Sequence, residues 1–315
     1  MGLLINGYWN PKANIENYDG KFDEFHHAIT ANDASDFKTE IGRYHLYISL
    51  ACPWACRTLI FRKLKQLEDL ISISIVDPIM GENGWSFSNE AGCIPDTVNN
   101  FKYLHQIYTK AKIDYTGRVT VPVLWDKKTQ TIVNNESSEI IRILNTEFDS
   151  LSNNKLDFYP EHLRNEIDKI NHRIFNFVNI GVYKAGFSGN QLDYELAFDA
   201  LFTELDAIEE KLSKSRYLVG SQITEADWRL FTTLIRFDSV YYIHFKCNLR
   251  RIIDFPNLMN YLRELYQYPG IAETVNFDHI KKHYYLSHRH INPLGIVPKG
   301  PLIDLNLPHN REKIS

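Results

Sequence analysis

The chain has 315 residues, 44% of them hydrophobic and 23% charged, with a formal net charge of −4. That balance belongs to a folded globular protein and excludes disordered or collagen-like chains, while the interleaving of acidic and basic residues leaves no footprint for nucleic acid or an anionic membrane surface. No apolar run reaches the roughly 18 to 20 residues of a membrane span, and the opening MGLLINGYWNPK lacks the basic start and long apolar stretch of a secretory leader.

Residues 1–40 are polar with few apolar periodicities and are expected to form an irregular N-terminal extension, regular structure beginning near Ile41. The run 44–50 alternates as a strand. Residues 52–68 read as a helix with Leu59, Ile60, Leu64 and Leu67 on one side, and Ile71 to Val76 again alternates, completing a β-α-β unit. After a Gly-, Asn- and Ser-rich insertion over 78–100 and a further helix, Arg118 to Trp125 reads as a strand, Thr131 to Val133 as its hairpin partner and Ser137 to Leu144 as a helix. The α/β part is therefore expected over 41–150.

From Pro160 the pattern changes to helical spacing, with Leu163, Ile167, Ile170, Ile174 and Val178 in one series and Leu192, Leu196, Leu201, Leu205, Ile208 and Leu212 in another. Thr224-Glu225-Ala226-Asp227 predicts an N-terminal capping box, and another helix is expected over 256–266. An all-helical domain over 155–290 is followed by an extended tail over 291–315, where Pro293, Pro298, Pro301 and Pro308 prevent helix continuation.

Four cysteines, Cys52, Cys56, Cys93 and Cys247, are too sparse for a disulfide framework and fit a reducing, cytoplasmic compartment. Cys52 sits in a strand-to-helix turn with Pro53 at the first helical position, where unpaired backbone N–H groups and the positive end of the helix dipole favour a thiolate. On spacing alone a buried packing role stays open beside a nucleophilic one. Asn135-Glu136-Ser137-Ser138-Glu139 offers a carboxylate, hydroxyls and helix N–H groups at one corner, which suits a ligand bearing both an ammonium and a carboxylate; ordinary helix capping is the alternative. His283, His288 and His290 match no zinc spacing, and no metal is expected.

Cys52-Pro53-Trp54-Ala55 followed by Arg57, GENGWSF around Trp85, GRVTVPVLWDKK, IVNNESSEIIR, GVYKAGF and the ending HIKKHYYLSHRHINPLGIVPKGP are similar to the glutathionyl-hydroquinone reductases, the Xi class of the glutathione transferase superfamily. The match runs from about Ile41 to Pro301. It implies a glutathione transferase fold, an α/β thioredoxin-like domain followed by an all-α domain, with Val121-Pro122 as a cis-proline opposite the active-site turn. It also implies Cys52 as nucleophile, Trp85, Arg118, Val121, Glu136 and Ser137 around glutathione, and Tyr183 and Tyr284 facing the hydroquinone. Glutathione is then a co-substrate, a glutathionylated hydroquinone or other aromatic compound the second ligand, and a homodimer the assembly. Where histidine is expected after CPWA this chain has Cys56, one helical turn from Cys52 and read as a small helix-face residue. The alternatives are an omega-like thioltransferase or dehydroascorbate reductase, and a transferase fold reused for binding. The tyrosine-bearing motifs favour aromatic substrates over the first, and retention of Cys52 with Pro53 argues against the second.

Overall fold

The computed structural model describes residues 2–13, 21–32, 34–152 and 154–314 and divides into two compact units, 1–156 and 157–315. Part of the N-terminal extension (residues 1, 14–20 and 33) and the last residue of the tail lie outside the described residues.

The N-terminal unit opens with two short antiparallel strands, β1 (Leu3–Ile5) and β2 (Tyr8–Asn10), so the extension is not wholly irregular. Asn6 and Gly7, both at positive φ, make the turn between them. An Asn-Gly pair is a strong short-range hairpin signal because both central positions of that turn need φ > 0, and the polar composition around it hid the signal. The central four-stranded sheet has the order β4-β3-β6-β7, from β3 (Tyr44–Ile48), β4 (Ile71–Ile75), β6 (Val123–Asp126) and β7 (Thr131–Asn134). β3 and β4 are parallel, joined by α1 (Pro53–Leu64), and β6 is antiparallel to both of its neighbours. Every residue of β3 is buried. A strand buried on both faces needs cover, and α1 packs on it and on α3 (Ser137–Thr146), while α2 (His105–Ala111) packs on β7.

The single strand expected over 118–125 is two. Gly117–Arg118 forms β5, which pairs with β1 in a separate three-stranded sheet, and β6 starts only at Val123. Pro122 between them has no N–H to give a ladder, and its peptide bond with Val121 is cis as the resemblance implied. A one-turn helix, α4 (Asp149–Ser152), ends the unit.

The C-terminal unit is helical: α5 (Arg164–Ile174), α6 (Gly181–Gly186), α7 (Gln191–Leu212), α8 (Glu225–Arg236), α9 (Pro256–Gln267) and α10 (Phe277–Ser287). α8 is buried along its whole length and starts at the expected capping box. Asp227 accepts from Thr224 N (2.7 Å), Thr224 Oγ1 (2.9 Å), Leu218 N (2.9 Å) and Tyr261 Oη (2.7 Å). Two helices pass into wide π-turns, Phe175–Asn179 after α5 and Phe237–Tyr241 after α8, and Asn179 donates to the Arg229 carbonyl and Thr233 Oγ1 of α8 at 3.1 and 2.8 Å. The tail, expected to be extended, ends in a short 3-10 turn, Arg311–Lys313, and is anchored there. Its buried Arg311 donates to the carbonyls of Leu212, Ser215 and Arg216 at 2.6 to 2.7 Å, capping the end of α7.

Candidate active site

Cys52 is the N-cap of α1, in extended backbone (φ −76°, ψ 124°), with Pro53 following and no acidic residue in the first helical turn. Proline at the first position sets the helix and has no N–H of its own to leave without a partner, and the positive end of the helix dipole lies at the turn that carries the thiol. Half-buried Cys52 places its Sγ 3.6 Å from the carbonyl oxygen of Val121, itself 3% exposed. Cys56, one turn on, donates its N–H to the Cys52 carbonyl at 3.0 Å, is 1% exposed, and like Cys52 is not in a disulfide. It is a core residue of α1.

α3 begins beside this turn. Glu136 is its N-cap, with Oε1 accepting from Ser138 N and Ser138 Oγ at 2.9 Å each, so the capping expected as an alternative for Glu136 is present. The Glu136 side chain remains exposed and Ser137 is buried. Arg57 of α1, which sequence reasoning left without a role, is 1% exposed, lies over the Trp54 ring at 4.5 Å and donates to Ser137 Oγ at 3.3 Å. Tyr108 of α2 is a second connector: its hydroxyl donates to the Thr120 carbonyl at 2.9 Å and accepts from Asn135 Nδ2 at 3.3 Å. Cys52, Val121, Glu136 and Ser137 are thereby joined across α1, the β5–β6 link and α3. Trp85 is 4% exposed in the loop after β4, its carbonyl accepting from Leu104 N at 3.0 Å. Arg118 lies on β5 with its side chain exposed, outside that network.

The helical unit assembles a chain of phenols. Tyr183 of α6 and Tyr284 of α10 are 101 residues apart in sequence, yet their hydroxyl oxygens are 2.5 Å apart, and Tyr284 Oη also meets Tyr241 Oη at 2.9 Å. Tyr284 is 1% exposed and Tyr183 half-buried, so Tyr183 is the end of the chain that a ligand can reach. Burial, followed by the neighbouring Tyr183 and Tyr241, holds the Tyr284 phenol well above its ordinary pKa and therefore protonated. Tyr285 faces elsewhere, donating to the Ser239 carbonyl at 3.3 Å. Tyr241 was missed by sequence reasoning, and its signal is tertiary: it closes the π-turn after α8, and such turns frequently mark functional positions. Phe245 packs against Tyr183, Tyr241 and Tyr284 with ring centroids 5.4 to 5.6 Å apart. Gly186 lets it in, since a Cβ there would collide with the Phe245 ring.

Beside the phenols, His244 Nε2 and His288 Nδ1 are 3.2 Å apart. Burial first, and nearby cations and histidines after it, push His244 down to about 4 and His288 down to about 2, which keeps both rings neutral near pH 7. No group of three or more His, Cys, Asp or Glu among the described residues is arranged to hold a metal ion.

The glutathione S-transferase N-terminal domain model matches residues 51–147, and the C-terminal domain model residues 191–264. The chain is 52% identical over 324 residues to glutathionyl-hydroquinone reductase YqjG of Escherichia coli, covering 99% of each. This chain belongs to the Xi class of glutathione transferases, the glutathionyl-hydroquinone reductases. It is 50% identical to glutathionyl-hydroquinone reductase PcpF of Sphingobium chlorophenolicum over 96% of each chain. Among solved structures, the Xi-class transferase of Natrialba magadii superposes with a TM-score of 0.96 at 46% identity, over 100% of this chain and 98% of that one. The glutathione-bound structure of YqjG superposes with a TM-score of 0.92 at 52% identity, over 99% of both. The fold is that of the glutathione transferases, a thioredoxin-like α/β domain and an all-helical one.

Proposed function

We propose that this Xi-class enzyme reduces glutathionyl-hydroquinones through a mixed disulfide on Cys52. The observation that carries the reading is the placement of the Cys52 thiol at the open N-terminus of α1, against the Val121 carbonyl and bonded through Arg57 and Tyr108 to the start of α3. A tripeptide with an ammonium and two carboxylates finds there an exposed Glu136, the backbone N–H groups of a second helix and the Val121 peptide between β5 and β6. Trp85, Arg118, Val121, Glu136 and Ser137 hold it.

The Cys52 thiolate attacks the sulfur of the glutathionyl-hydroquinone. An S–S bond forms as the sulfur–ring carbon bond breaks, the electron pair goes to that carbon, and a proton completes the free hydroquinone. The thiolate of one glutathione then attacks the mixed disulfide, releasing oxidised glutathione and the Cys52 thiolate. One aryl thioether and one glutathione become one hydroquinone and one glutathione disulfide. Tyr183 supplies the proton at the ring, and Tyr284, kept protonated by its burial, donates to the phenolate left behind or holds Tyr183 in place.

Side-by-side assay of a glutathionyl-hydroquinone, dehydroascorbate and a glutathionylated peptide tests the assignment. The hydroquinone conjugate is expected to have the highest kcat/KM; higher values for either of the others move the enzyme to thioltransferase chemistry. Incubation with oxidised glutathione is expected to add one glutathionyl group at Cys52, and an adduct confined to Cys93 or Cys247 would place the ligand elsewhere. We place the enzyme in the cytoplasm, as four cysteines outside any disulfide suggest, and as a homodimer, which light scattering checks.

A further inference from the structure

Trp9 of β2 donates its indole N–H to the carbonyl of Glu82 at 2.9 Å. Its ring stacks on His105, centroids 5.2 Å apart and planes 10° from parallel, and His105 stacks in turn on Tyr103 at 5.4 Å and 13°. Gly84, at φ +70°, brings its backbone against the same indole: a Cβ there would stand 3.1 Å from Cη2 and Cζ2. The 102–104 segment holds the other side of this turn, Leu104 N donating to Trp85 O at 3.0 Å and Phe87 N to Lys102 O at 2.9 Å. The turn from Gly81 to Trp85 thus lies between that segment and the Trp9 ring. At the far edge of the hairpin β1 pairs Leu3 with Arg118 and Leu4 with Gly117, and Asn6 N donates to Thr116 Oγ1 at 2.9 Å. Three residues beyond Arg118 is Val121, whose carbonyl meets Cys52 Sγ.

We propose that Trp9 is a positioning residue for glutathione, and that the N-terminal hairpin is a part of the glutathione site that never touches the ligand. Through Trp9 it sets the turn that presents Trp85, and through β1 it sets the strand that carries Arg118. This rests on the assignment of Trp85 and Arg118 to glutathione made above. A tryptophan suits such a role, because a large flat ring with two side-chain torsions orders the turn by stacking at little entropic cost, and its one donor fixes the height of the Glu82 peptide. A tryptophan that served only general stability would change the melting temperature and leave ligand affinity alone.

The test uses full-length Trp9→Ala and Trp9→Phe, calorimetric titration with glutathione, and amide hydrogen exchange over 82–87. Losing the stack and the hydrogen bond is expected to weaken glutathione binding by about tenfold in Trp9→Ala, and by about threefold in Trp9→Phe, which keeps the stack. Exchange over 82–87 accelerates while α1 and α3 keep wild-type protection, and the kinetic loss falls on KM for glutathione rather than on kcat. Wild-type affinity in Trp9→Ala, or acceleration spread evenly over the whole N-terminal unit, overturns the inference. If Trp9→Ala does not fold, Trp9→Phe decides, and wild-type affinity there overturns it equally. A wild-type protein that does not bind glutathione overturns the functional reading itself, and this assignment with it, so the two failures are distinguishable.

Discussion

In the N-terminal unit the reactive group is placed by backbone: Cys52 is the N-cap of a helix, Pro53 sets that helix, and the partner of the thiol is a main-chain carbonyl. In the C-terminal unit the hydroxyls are brought together by side chains from α6, α10 and the π-turn after α8, with Tyr284 meeting both Tyr183 and Tyr241. A backbone-built site survives changes in the surrounding side chains, because its geometry comes from φ and ψ. A side-chain cluster is cooperative: losing one hydroxyl leaves a buried neighbour short of a partner, and that costs about 1 to 3 kcal/mol where water cannot substitute.

The largest expected effect probes the backbone-built half. Cys52→Ser keeps the packing and removes the thiolate, so turnover is expected to fall at least about 10³-fold with the melting temperature within a few degrees of wild type; steady-state kinetics with a glutathionyl-hydroquinone checks it. Substantial residual turnover would move the nucleophile elsewhere.

Next in size is the phenol cluster. Tyr183→Phe is expected to lower kcat on glutathionyl-hydroquinone by about 10²-fold while reduction of a small glutathione mixed disulfide stays within a few-fold, because a departing thiolate needs no proton at carbon. Tyr241→Phe, two hydroxyls from the reachable end, is expected to cost about tenfold or less on the first substrate and nothing measurable on the second. Equal losses on both substrates would mean that the tyrosines shape the pocket and move no proton.

A smaller effect is read from pH, and it acts in both halves, since burial also pushes His45 of β3 down to about 4. His244 is buried with a folded pKa pushed down to about 4, and His288 beside it to about 2, whereas the unfolded chain takes up those protons near the ordinary value of 6.5. Below pH 6.5 the unfolded state therefore binds more protons, so stability is full above that pH and is lost as pH falls toward 4, by at most about 1.4 kcal/mol per pH unit for each histidine. Denaturant midpoints at pH 7, 6 and 5 check this. The smallest effect is that of Cys56→Ser. Cys56 faces the core of α1, so activity is expected to stay within about twofold of wild type at a small cost in stability. A loss approaching that of Cys52→Ser would make this a dithiol enzyme.

The same contrast governs what could be read along the chain. The thiol at a helix start, the β-α-β order, the capping box at Thr224 and the helical spacing of the second half are local patterns, and they were legible because one turn or one strand carries each. The N-terminal hairpin was equally local in its Asn6-Gly7 turn, yet it was masked by the polar residues around it. Arg57, Tyr108 and Tyr241 carried no local mark that set them apart from other buried or aromatic residues.

By itself the sequence determined where the backbone would turn and which face of each element would be apolar, since propensity, proline and the periodicities of 2 and 3.6 act over a few residues. It also carried the motifs by which the family is known. The tertiary structure alone decided that Tyr241 joins Tyr183 and Tyr284, that Arg57 and Tyr108 tie three elements around Cys52, and that Trp9 lies against the turn bearing Trp85. Those contacts span 43 to 101 residues in the phenol cluster and 73 from Trp9 to Glu82. Their geometry is fixed by how helices and strands pack, a property of the assembled core that no short window of sequence contains.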